Sequence, residues 1–125
     1  MKMTLRTRDF APEGYDGWHI LTAAPWADAH RAELPAAVVS ALPGWLACDH
    51  IYARTPHALR DFEDHLARFV DENRRTTRAT RIVIDLHGAP RPLPFDYVKA
   101  IERAFRRGAD DGPVEEVVIY TSLVH

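Results

Sequence analysis

The run Arg81-Ile82-Val83-Ile84-Asp85-Leu86-His87-Gly88 restricts what this chain can fold into more than any other stretch. Ile82, Val83 and Ile84 are consecutive β-branched residues, so both faces of the strand they form require apolar cover. Such a strand belongs in the middle of a sheet with other layers packed on it, and Gly88 ends it. A second run, Val117-Val118-Ile119-Tyr120, has the same character, and an amphipathic segment separates the two. Ile82 to Tyr120 therefore predicts a strand, helix, strand crossover, parallel if both strands share one sheet.

The rest of the chain supplies layers for that sheet. Met3, Leu5 and Phe10 alternate with Lys2, Thr4, Arg6 and Arg8, the period of a strand with one wet face. Turn residues from Ala11 to Gly17 and an apolar run from Trp18 to Ala23 complete a predicted N-terminal β-hairpin. Pro25 and Asp28 can start a helix, Pro35 interrupts it, and a short helix from Pro35 to Leu42 is expected before Pro43-Gly44. Trp45 to Arg54 lacks helical spacing and reads as a strand. Thr55 and Pro56 then form an N-cap and first helical residue. The helix that follows carries one core stripe, Leu59, Phe62, Leu66, Phe69 and Val70, with charge on the opposite face. Asn73 to Arg81 reads as a polar connector, and Ala89 to Pro94 as polyproline II. Pro94 opens a last helix with Phe95, Val98, Ile101 and Phe105 inward, closed by Gly108, before a loop from Ala109 to Pro113 and a last strand from Val114 to Ser122. The expected fold class is α/β, with α+β as the alternative: a single mixed sheet with an N-terminal β-hairpin and two main amphipathic helices packed on it. A chain of 125 residues has one core's worth of apolar side chains, so a single domain over 1–125 is expected.

The 16 basic and 18 acidic side chains nearly cancel. That balance argues against nucleic acid or a membrane surface as partner. Cys48 stands alone, which excludes an internal disulfide and a cysteine-based metal cluster. With no apolar run long enough for a bilayer and no apolar stretch after Met1-Lys2-Met3, a cytoplasmic location is expected.

Seven histidines are the most unusual feature. None pairs at the His-x-x-x-His spacing of a helical zinc site. His57, Asp61 and His65 stack at four-residue steps, but the two ends of that stripe lie about 12 Å apart along a helix, too far for one ion. Neither a metal nor another cofactor is expected. Asp85 and His87 would share a face of the central strand at its C-terminal end, where open α/β sheets place ligands, and a carboxylate there can orient an imidazole for acid-base chemistry. Cys48 and His50 would share a face of their strand, but roughly 6 to 7 Å apart, which leaves Cys48 as a buried free thiol. The Arg-rich connector, Arg74, Arg75, Arg78 and Arg81, can contact phosphates or an acidic protein. Arg91-Pro92-Leu93-Pro94 has the form of a polyproline ligand but reads as a rigid spacer.

Helix, strand ending in Asp85-Leu86-His87-Gly88, helix and strand together resemble the anti-sigma-factor antagonist (STAS) domains, whose corresponding strand ends in Asp-Leu-Ser-Gly-like sequences. Pro90 to Pro94 stand where that family has its serine-containing turn, so the resemblance implies no phosphorylation switch.

No complete catalytic set is present, and charged helical faces of this kind steer partners. The expectation is a small non-catalytic protein that binds another protein, such as an immunity protein, antitoxin or regulator, through Arg74, Arg75, Arg78, Asp61 and Asp64. The alternative is a small enzyme built on Asp85 and His87, with His50 or His19 brought close by folding and a histidine metal site as a variant.

Overall fold

The computed structural model describes residues 2–22, 29–89, 91–108 and 114–124. Five strands form one parallel sheet: β1 (Lys2–Arg6), β2 (His19–Thr22), β3 (Val38–Ala41), β4 (Arg81–Asp85) and β6 (Glu116–Tyr120), in the order β1-β6-β4-β2-β3. Two further two-residue strands, β5 (Leu93–Pro94) and β7 (Leu123–Val124), pair parallel beside it. The class is α/β. The Ile82 run lies at the centre of the sheet, with Val83 between Ile20 on one side and Val118 on the other, and β4 and β6 are parallel neighbours joined through a helix, as the crossover pattern requires.

Both long helices, α1 (Pro56–Thr77) and α2 (Tyr97–Gly108), pack on one face of the sheet. There Phe62, Leu66 and Val70 from α1 and Ile101 and Phe105 from α2 close over Leu21, Ile82, Ile84, Val117 and Ile119. Thr55 caps α1: its Oγ1 accepts from Ala58 N at 3.1 Å. Where the helices meet, Arg103 and Arg107 donate to Glu63, and Arg107 also donates to Asp64. Burial raises the Glu63 carboxyl, but the two guanidiniums outweigh it and hold the group below the usual carboxylate range.

The other face is covered differently. Ile20, Val83, Val118 and Tyr120 are roofed by Tyr15, Trp18 and Leu34, with Phe10 packed on them. This explains why no N-terminal hairpin forms. The linker from residue 7 to 18 carries three aromatic rings that are buried only if it crosses the sheet, so β1 pairs with β6 at one edge and β2 pairs with β4 and β3. Gly14 and Gly17, at φ of 86° and 89°, make the turns that route it. All pairings among the described residues are parallel, so the sheet is parallel where a mixed one was expected.

Four local expectations are corrected. Where a short helix from Pro35 to Leu42 was expected, a turn leads into β3, because Val38 and Val39 favour a pleated surface and extend the sheet beside β2. Trp45 to Arg54 is two 3-10 turns, Gly44–Ala47 and Asp49–Tyr52, not a strand. Its buried residues Leu46, Ile51 and Tyr52 come in at turns, and Tyr52 Oη donates back to Leu46 O at 2.7 Å. The polar connector is shorter than expected, since α1 continues to Thr77; Asn73 Nδ2, Thr76 Oγ1 and Thr77 Oγ1 bond back to helix carbonyls and carry the last turn without an apolar stripe. Pro94 belongs to β5 and α2 begins at Tyr97, which leaves Phe95 exposed and puts Tyr97 in the core, its hydroxyl donating to Ile51 O at 2.7 Å. Pro25, Asp28, Pro90 and the loop from 109 to 113 lie outside the described residues.

Candidate functional site

Asp85 is the last residue of β4, and the chain leaves β4 towards β6 but leaves β2 towards β3 on the opposite side. Beyond the C-terminal ends of β2 and β4 lies the point where the winding direction reverses, the usual ligand position in open α/β sheets. Thr22, fully buried at the end of β2, donates its hydroxyl to Asp85 Oδ2 at 3.0 Å. The other carboxylate oxygen accepts from His87 N at 3.1 Å and from the His87 ring at Nδ1, 3.2 Å away. The pair does form, though not along a strand: Leu86–Gly88 is a 3-10 turn that Asp85 caps. Three donors fix the carboxylate, and the carboxylate fixes the tautomer with the proton on Nδ1. His87 Nε2 is left as an acceptor.

His87 borders a cleft of about 150 Å3 whose other walls include Ala89, Arg91, Thr121 and Ser122. Ser122 is held by its main chain, since its carbonyl accepts from Leu93 N at 2.9 Å and Thr121 Oγ1 at 3.0 Å. Arg91 Nε donates to Asp49 Oδ1 at 3.2 Å, which ties the 3-10 turn of His50 to the cleft rim. His50 itself is exposed, and so is Cys48, contrary to the expectation of a buried thiol; it sits between two turns with Sγ 3.9 Å from Gly44 O. Ser122 and Thr22 were not candidates from sequence. The pairing brings them in: Thr22, Asp85 and Thr121-Ser122 close three adjacent parallel strands, a relation that follows from the strand order and not from any local spacing.

His19 is away from this group, at the start of β2. It is buried, with Nε2 3.0 Å from Ser40 Oγ and no partner for Nδ1 among the described residues, and burial pushes its pKa down. Among the described residues no group of three or more His, Cys, Asp or Glu is placed to hold a metal ion, and no helix is long and apolar enough to cross a membrane.

The five residues expected to meet a partner separate. Asp64 faces α2 and is held by Arg107 at 2.9 Å. Arg78 closes α1 in a left-handed conformation, φ 55°, exposed, and the side chain of Arg74 lies outside the described set. Asp61 and Arg75 fall on one helical stripe with His65, Arg68 and Glu72, at steps of three and four. Asp61 pairs with His57 at 3.3 Å and Arg75 with Asp71 at 3.1 Å. His65 Nδ1 donates to Asp61 O at 2.8 Å, and its ring lies against Trp45, centroids 5.4 Å apart.

Three residues of that stripe, His65, Arg68 and Glu72, form with Phe69 one wall of a second cleft, about 260 Å3, opposite Pro43 and Trp45. Pro43 follows β3 by two residues. β3 is the outermost strand, and among the described residues nothing pairs with its outer side.

No protein-family model, no curated protein and no solved structure matches this chain.

Proposed function

We propose that this protein acts by binding another protein, as an immunity protein, antitoxin or regulator does, with an extended segment of the partner added alongside β3 and one of its apolar side chains seated in the Trp45 cleft. The observation that carries this reading is the contrast between the two sheet edges. β1, with Lys2 and Arg6, has the charges that keep an edge strand from pairing with strangers. β3 is Val-Val-Ser-Ala, with no charge, and Val38 is 41% exposed. Val38 N donates to Trp18 O and Leu42 N to Thr22 O, so by alternation the N–H and C=O groups of Val39 and Ala41 point away from the sheet. Water meets such a row in the free protein and an added strand can replace it bond for bond, while the apolar cleft that begins at Pro43 supplies a pocket for selectivity. Asp61 and Arg75, on the same helical stripe as the lining residues His65, Arg68 and Glu72, give that selectivity a charge pattern, a role that favours orientation and encounter rate over raw affinity.

The test is photo-crosslinking from position 38 in the protein's native lysate, with Trp45→Ala and Ala41→Pro run in parallel. The expected result is one discrete adduct with a different protein, lost in both variants. An adduct only with a second copy of this chain, or one that persists in both variants, overturns the reading.

A further inference from the structure

We propose that the cleft beside β4 is a hydrolytic site for short acyl esters, with Ser122 as nucleophile, His87 as base and Asp85 as the residue that positions His87. Three features of the fold support it. Asp85 is locked by Thr22 and by the His87 main chain, so its contact with Nδ1 is fixed before any ligand arrives. With the proton on Nδ1, Nε2 has a lone pair available to take a hydroxyl proton, the state a general base requires. Ser122 is exposed, borders the same cleft as His87, and belongs to a main chain tied down through Leu93 and Thr121. The serine, imidazole and carboxylate come from the ends of two adjacent parallel strands, an arrangement of roles that recurs on unrelated folds.

In the reaction, Ser122 Oγ bonds to the ester carbonyl carbon as its proton passes to His87 Nε2. The bond from that carbon to the alcohol oxygen breaks, and the alcohol leaves with the proton from Nε2. Water then attacks the acyl-serine by the same route, giving the free acid and restoring the serine. Ester and water become acid and alcohol, with no other reactant. A cleft of about 150 Å3 limits the acyl group to a few carbons.

The probe is a small alkyl fluorophosphonate, which bonds to an activated serine oxygen with loss of fluoride, read by intact-protein and peptide mass spectrometry. The expected result is a single adduct on Ser122, absent in Ser122→Ala and formed at least ~100-fold more slowly in His87→Gln, the scale of general-base assistance. Ser122 is exposed and His87 is on a surface turn, so both variants keep the wild-type melting curve. Asp85→Asn is followed by the ring 15N shifts of His87: the wild type shows the Nδ1-protonated tautomer, and the variant shows the Nε2-protonated one with labelling lost. No adduct in the folded wild type, labelling of Ser122 at an unchanged rate in His87→Gln, or the wild-type tautomer persisting in Asp85→Asn alongside lost labelling each overturns the proposal.

Discussion

The hydroxyls of Tyr15 and Tyr120 lie 2.6 Å apart, joining residues 105 positions apart in the chain. One belongs to the linker that crosses the sheet and the other to β6, so this bond fastens the linker to the face it covers. Phe10 completes the cluster, edge-on to Tyr120 at 5.1 Å and stacked on Tyr15 at 5.6 Å.

The tyrosines predict an alkaline limit to stability. Burial, then the bond to Tyr120, pushes Tyr15 up to about 12; burial, then Tyr97 and Cys48, does the same for Tyr52. In the unfolded chain both ionise near 10. Below pH 10 both states hold these protons and the contribution is fully present; between about 10 and 12 the unfolded chain loses them first and the stability falls. Urea unfolding midpoints measured from pH 8 to 12 will show that decline, and it will be shallower in Tyr15→Phe. At neutral pH that variant will be less stable by about 1 kcal/mol, the net value of one hydrogen bond.

His19 predicts the acid side. Its pKa is lowered by burial in the folded state, so below about 6.5 the unfolded chain takes up a proton that the folded chain refuses. Stability is unaffected above pH 7 and declines as the pH falls below 6.5. His19→Leu will remove this segment of the pH dependence, whatever it does to absolute stability. A wild-type curve equally steep in the variant would assign the decline to other groups.

Much of this architecture was legible in the sequence because burial leaves a strong mark on short apolar runs. Ile82 to Ile84 and Val117 to Tyr120 announced buried strands, and the Leu59 to Val70 stripe with its Thr55 cap announced α1. Where a residue's role depends on distant partners, local pattern gave no guidance. Met3 and Leu5 alternate as any strand does, and only Phe10, Tyr15 and Trp18, seeking cover on the far face, decide that β1 stays away from β2. Asp85 and His87 were visible as a pair, whereas Ser122 joins them only through the pairing of β4 with β6, which no local spacing encodes. The Arg74 to Arg81 stretch drew attention by charge alone, yet its first four residues belong to α1.

The central position of β4 predicts a large difference between equivalent truncations. Ile84 is 3% exposed and walled by both helices. Ile84→Ala will cost about 2–5 kcal/mol, lost transfer energy plus a cavity the packed layers cannot collapse. Val38→Ala, on the exposed edge, will change stability by less than about 0.5 kcal/mol. Similar losses at the two positions would mean that β4 is not the core strand.

The outer edge of β3 allows a test that separates fold from binding. Proline removes one backbone donor, and its effect depends on which way that donor points. At Ala41 the N–H faces away from β2, so Ala41→Pro leaves the existing ladder intact while removing a bond that an added strand would use. At Ser40 the N–H faces β2, as the flanking bonds from Val38 and Leu42 require, so Ser40→Pro breaks the ladder and also removes the hydroxyl that meets His19 Nε2. Ser40→Pro will lower the unfolding free energy by about 3 kcal/mol or more, with the melting temperature following it down. Ala41→Pro will melt within a few degrees of the wild type yet lose the position-38 crosslink to its partner. A wild-type crosslink in Ala41→Pro would mean that the partner does not extend the sheet at β3, since the proline ring removes that donor and also projects at the carbonyl an added strand would place there.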